Sequence, residues 1–185
     1  MNDPKFNVLL YSDGSYQAFS AAVYTATLFN NIPNMHLTVA HIQAKAESTV
    51  ETEYQWINTW PVSPTSDWIK LAFNKSDAAT KEKYHEILTK TNKIFAARGP
   101  DVSHYALYTN TNISDTTDIE DSIIDYATKG SFELIIMGTR GLSALNGLVF
   151  GSLAHNVLDK SPIPVLLIKK LPQDFINNYL SSTEF

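Results

Sequence analysis

The sequence predicts an α/β fold in which a parallel sheet carries helices on both faces. Three observations predict it. Short apolar runs alternate with segments whose apolar residues recur every three or four positions. The runs are nearly continuous in apolar residues, as in strands buried on both faces. Finally, four of the seven glycines, Gly138, Gly141, Gly147 and Gly151, directly follow the fourth run and lead into a helical segment. Glycine loses the most conformational freedom on folding, so a cluster implies positive φ or close approach of the backbone to something else.

The elements follow in order. Phe6 to Ser12 (FNVLLYS) is a buried strand that ends in Asp13-Gly14-Ser15, a turn and helix-cap composition. Ala18, Ala21, Ala22, Thr25 and Leu28 then lie on one face of a helix that stops near Asn30-Asn31. MHLTVAHIQ is the second strand. Residues Ala44 to Ser76 break the rhythm, carrying Trp56, Trp60 and Trp68 with Pro61 and Pro64, and read as an insertion. Tyr84, Ile87, Leu88, Thr91, Ile94 and Phe95 form the next helical stripe, closed by Gly99-Pro100. VSHYALYT is the third strand. Ile119, Ile123, Ile124 and Ala127 mark a helix over Asp115–Lys129 that Gly130 ends. FELIIMG is the fourth strand, SLAHNVLDK a short helix, and IPVLLIK the fifth strand.

Composition narrows the function. At 185 residues the expectation is one domain, 1–185, with an insertion at about 44–76. The formal charge is −5 and the basic residues are scattered, which argues against nucleic acid as the main partner. The first residues do not make a signal peptide, and no segment approaches a membrane span. Zero cysteines exclude thiol catalysis and thiolate metal sites and suit a reducing cytoplasm. The histidines lack metal-ligand spacing, so no protein metal site is assigned.

On open parallel sheets, ligands bind beyond the carboxyl ends of the strands where the strand order reverses. If the first strand lies beside the fourth, Asp13 and Gly138 share that crevice. Gly151-Ser152 stands where the next helix begins, and the free N–H groups and dipole of such a start attract phosphate. The Ser152 hydroxyl either caps the helix or donates to a phosphate oxygen.

The stretch GTRGLSALNGLVFGS matches Gly-x2-Gly-x9-Gly-Ser, and with VLLYSDGS and SPIPVLLIK the chain resembles the ATP-binding subgroup of the universal stress protein family over almost its whole length. The resemblance implies a five-stranded parallel sheet in the order 3-2-1-4-5, Rossmann-like and of the adenine nucleotide alpha hydrolase type, with an adenine nucleotide in the crevice and a dimer. Asp13 would contact the ribose or adenine end and Ile42 would flank the base. Met137 and Gly138 would line the pocket. Gly141, Gly151, Ser152 and Leu153 would offer main-chain groups to the phosphates, with the Ser152 hydroxyl. Two features depart from the family: YTNTNISDTTD lacks the glycine often found after the third strand, and the tryptophan-bearing insertion is long.

Simpler roles stand beside these. Asp13 is also a suitable cap for the helix near Ser15, and His155 a plain helix-face residue one turn past Ser152. Arg140 is the best charged contact for a phosphate or an exposed loop arginine. Trp56 and Trp60, four apart, suit a local core under the insertion.

The leading functional reading is a cytoplasmic, ATP-binding regulatory protein with at most slow hydrolysis, any Mg2+ being held mainly by the phosphates. Neither a Gly-x4-Gly-Lys-Ser/Thr loop nor an evident catalytic base is present. An adenylating enzyme of related architecture is the alternative suggested by SDGS, which lacks two glycines of that loop. A dimeric module that has lost nucleotide binding is the other, and Gly138, Gly141 and Gly151 argue against it. The last strand, Pro164 to Lys170, would lie at the sheet edge and pair with its copy in a homodimer, unless the LPQDFINNYL segment covers it.

Overall fold

Five apolar runs form the strands: β1 (Phe6–Tyr11), β2 (Met35–Ala44), β3 (Val102–Thr109), β4 (Leu134–Gly138) and β5 (Val165–Ile168). The helices are α1 (Tyr16–Asn31), α2 (Ala78–Ala97), α3 (Thr116–Lys129), α4 (Ser152–Lys160) and α5 (Gln173–Ser181), with a 3₁₀ turn at Gly99–Asp101. The computed structural model describes residues 4–12, 16–44, 78–109, 116–139 and 151–182. Almost all of the expected insertion, with its three tryptophans, lies outside the described residues.

The sheet runs β3-β2-β1-β4-β5 with every pair parallel. β1 is central, with Val8 opposite Leu37 on one side and Leu134 on the other. Because side chains alternate across a strand, β1 feeds two cores. Val8 and Leu10 join Phe19, Ala22, Val23 and Phe29 of α1, Ile94 and Phe95 of α2, and Ile176 and Tyr179 of α5. Leu9 and Tyr11 join Ile119, Ile123 and Ala127 of α3 and Ala154 and Val157 of α4. Each fully buried Leu or Val contributes roughly 1.5–3 kcal/mol.

The helix ends show how local chemistry sets the boundaries. Gly99, just past α2, has φ 38° with open space around it, so backbone conformation accounts for this glycine. Arg98 beside it fastens α2 to the end of α1. Its guanidinium donates to the carbonyls of Phe29, Ile32 (2.8 Å), Pro33 (2.6 Å) and Met35 (2.8 Å) and sits 3.9 Å from the Phe29 ring centroid.

At the end of α3 the glycine and the left-handed residue are different residues. Ser131 has φ 53°, its amide donates to Thr128, and the Phe132 amide donates to Ala127. This is the paired-bond C-terminal motif with serine where glycine is usual. Gly130 is required by space, since a Cβ there would lie 2.5 Å from the Phe132 ring. With the Phe132 amide committed to the cap, β4 begins at Leu134, two residues later than the apolar run suggests.

The C-terminal segment forms α5, an element the sequence reading did not identify. Pro172 stands at its N-cap, Asp174 in its first turn, and Phe175, Ile176, Tyr179 and Leu180 share one face. That face packs on the α1 and α2 side of the sheet. Val165, Leu166 and Leu167 of the edge strand β5 are half-buried.

Candidate functional site

Strand order puts β1 and β4 side by side, with Leu10 opposite Ile136, so both chains leave the sheet at the same end. Past β1, the Ser12 amide donates to the Ala40 carbonyl at 2.9 Å, holding the strand end against β2. Past β4, Thr139 makes two backbone bonds. Its amide donates to the Ile168 carbonyl (2.9 Å) and its carbonyl accepts from the Gly151 amide (2.8 Å). Residues 139 and 151 therefore lie against each other where β4 ends and α4 begins. Ser12 and Thr139 are both buried. The sequence reading missed Thr139, and its signal was a small polar residue directly after an apolar strand.

Gly151 is the N-cap of α4, with φ −68° and ψ 155°. Any residue adopts that extended conformation, so its dihedrals do not account for the glycine. The Gly151 N-cap supplies no side-chain hydrogen bond to α4, and the first turn of the helix has no acidic residue. The N–H groups of that turn and the positive end of the helix dipole thus suit an anion. Ser152 is exposed, Leu153 is half-buried against the second core, and Ala154 and Val157 anchor the helix to the sheet.

Gly138 answers to a different neighbour. A Cβ there would lie 2.6 Å from the Gln17 carbonyl carbon and 2.7 Å from the Ala18 nitrogen. Its lack of a side chain lets the first turn of α1 settle on the end of β4. Met137 beside it is buried in the second core.

The structure thus brings Met137, Gly138, Gly151, Ser152 and Leu153 to one end of the sheet. Ile42 lies on β2 opposite Leu107 of β3. Asp13, Arg140 and Gly141 lie outside the described residues. His155 is exposed on α4.

The far end of α4 is fixed by charge. Lys160 donates to Glu120 of α3, a residue with 0% exposure. This bond and the carboxylate's charge raise the Lys160 pKa, opposed by the lysine's own desolvation. Among the described residues, Glu120 Oε2 is the buried side-chain oxygen left without a hydrogen-bond partner. The helical pattern gave no sign of this, because a glutamate beside Ile119 reads as the start of a solvated face. No helix among the described residues is long and apolar enough to cross a membrane.

Comparison with known proteins gives the same architecture. UspA from Lactobacillus plantarum superposes with a TM-score of 0.54 at 18% identity, covering 90% of this chain and 99% of that one. A universal stress protein in complex with cAMP gives a TM-score of 0.50 at 18% identity, covering 90% and 98%. At these identities the likeness is one of fold. Local sequence matches are closer but shorter. The stress response protein NhaX of Bacillus subtilis is 40% identical over 52 residues, 28% of this chain and 31% of that protein. Universal stress protein MJ0531 of Methanocaldococcus jannaschii is 40% identical over 48 residues, 26% of this chain and 28% of that protein. The matched stretches span about a third or less of these relatives' own length. The model of the Universal stress protein family matches residues 6–169, from the first residue of β1 to just past β5. The sheet order and this match agree, and the chain belongs to the universal stress protein family.

Proposed function

We propose that the chain binds an adenine nucleotide, specifically ATP, in the crevice beyond β1 and β4, and acts in the cytoplasm as a regulatory stress-response protein with at most slow ATP hydrolysis. The observation that carries this reading is the junction at Thr139. The bond from Gly151 to Thr139 sets the start of α4 at the end of β4, and the Gly151 N-cap brings no side-chain acceptor of its own, so the first-turn amides there suit a phosphate. The solved protein of this family in complex with cAMP supports an adenine ligand for the fold.

In this reading the main chain at Gly141, Gly151, Ser152 and Leu153 and the Ser152 hydroxyl hold the phosphates, with Arg140 adding charge. Asp13 accepts from the ribose hydroxyls, Ile42 flanks the base, and Met137 and Gly138 line the pocket. Any Mg2+ is bound chiefly through the phosphates.

Two tests address it. Denaturing the purified protein and identifying the released nucleotide should yield ATP in near-stoichiometric amount. Calorimetry should give at least tenfold weaker ATP binding for Gly151→Val, about 1.4 kcal/mol, because the branched side chain occupies the phosphate position. Unchanged affinity in a folded variant would remove the phosphate assignment.

The same reading includes a homodimer through β5. The strand is at the sheet edge and Val165, Leu166 and Leu167 are only half-buried. Pairing with its copy would satisfy its outer N–H and C=O groups and cover these side chains. Light scattering decides it, since a mass of 20.6 kDa independent of concentration would exclude the dimer.

A further inference from the structure

The C-terminal helix lies beyond the residues that match the family, 6–169, yet it is built into the first core. Leu171, Ile176 and Tyr179 are all at least nine-tenths buried. The segment touches α1 twice: the Leu171 amide donates to Ser20 Oγ at 3.3 Å, and the Phe175 ring packs on Tyr24 with centroids 5.8 Å apart. It also touches α2 through two adjacent residues. Thr91 Oγ1 and the Tyr179 hydroxyl lie 2.7 Å apart, both buried. Lys90 donates to the carbonyls of Tyr179, Leu180 (3.3 Å) and Ser182, satisfying the acceptors that a helix end leaves unpaired.

Ser20 is one turn along α1 from Gln17 and Ala18, the residues that press on Gly138 at the crevice. The same helix therefore carries the turn packed on the end of β4 and the attachment point of the C-terminal segment. We infer that α5 is an intramolecular clasp, locked by Lys90 and Tyr179, that holds the first turn of α1 against β4 and so couples its own docking to occupancy of the crevice. The ligand half of this coupling rests on the nucleotide reading of the crevice, whereas the α1 half does not. Because coupling free energies are reciprocal, a nucleotide that needs the α1 turn in place must in turn slow release of α5.

The test is hydrogen exchange on the full chain with and without ATP, in the wild type and in Ile176→Ala/Tyr179→Ala. In the variant, amides of Ile176–Leu180 and of Ala18 and Phe19 should exchange faster, while those of Val8–Leu10 in the central strand keep their protection. ATP should bind about tenfold more weakly to the variant, and in the wild type ATP should slow exchange in α5 by a comparable factor. If α5 is released while Ala18 and Phe19 exchange as in the wild type, the clasp is overturned. If they respond but ATP affinity does not change, the coupling to the crevice is overturned. Should the wild type bind no adenine nucleotide, the nucleotide reading fails and exchange at Ala18 and Phe19 alone decides the clasp. Lys90→Met, which removes the helix-end donors and leaves the apolar core in place, gives the same readings if the double variant does not fold.

Discussion

A Cβ at Gly138 would lie 2.6 Å from the carbonyl carbon of Gln17, so the end of β4 and the first turn of α1 are in backbone contact. Gly138→Ala must separate them, and no flexible side chain is available to give way. The expected cost is about 1–3 kcal/mol, typical of overpacking. A lower midpoint in urea unfolding checks it, and an unchanged midpoint would mean that α1 shifts freely.

Ser131 holds the left-handed position at the end of α3, with φ 53°. Glycine adopts that conformation without the Cβ penalty, and the two backbone bonds of the cap do not involve the side chain. Ser131→Gly is expected to stabilise the protein by about 0.5–1 kcal/mol. A melt that shows a loss instead would mean that the serine contributes more than its backbone. Gly130→Ala should behave oppositely, because its Cβ would meet the Phe132 ring and the Tyr126 carbonyl oxygen.

Lys160 and Glu120 tie α4 to α3 by a pair that is exposed at one end and buried at the other. Removing only the lysine, as in Lys160→Met, strands a buried carboxylate and should lower stability. Adding Glu120→Leu should recover most of the loss, since the desolvated charge and its unpartnered Oε2 disappear together. A double-mutant cycle in urea reads both effects. A double variant no more stable than Lys160→Met would rule out stranded charge as the cause. The raised Lys160 pKa gives the pair's pH dependence: its contribution is complete below the ordinary lysine value and fades as pH rises through the folded one.

Burial pushes the Tyr179 phenol up to about 12 from 10.0, against the opposing hydrogen bond from Thr91. A raised pKa means that the folded state keeps its proton while the unfolded chain loses it. Stability is therefore intact below pH 10 and declines between pH 10 and about 12, by roughly 2–3 kcal/mol from this group. Tyr179→Phe should remove that part of the alkaline decline. Comparing the two proteins' unfolding curves across pH 9–12 isolates it from Lys90, whose burial lowers its pKa. Parallel curves would exclude the phenol.

The sequence by itself determined the alternation of elements, because strand and helix periodicities are local properties of the chain. Val8 to Leu10, Ile123 with Ala127, and Ile135 with Ile136 could be assigned to buried faces from spacing alone. The motif from Gly138 to Ser152 also carried the family resemblance. Tertiary structure decided what two of the described glycines are for. Gly138 admits the backbone of α1, Gly130 the ring of Phe132, and Gly151 has dihedrals open to any residue. No local pattern encodes those neighbours, since Gln17 and Gly138 meet only when β1 and β4 pair. The same holds for Glu120, whose burial depends on α4 arriving beside α3 with Lys160 at its end. It holds as well for α5, whose short stripe becomes a helix face only once α1 and α2 stand side by side to receive it. Periodicity is written along the chain, whereas close contact between distant segments depends on how the sheet is ordered.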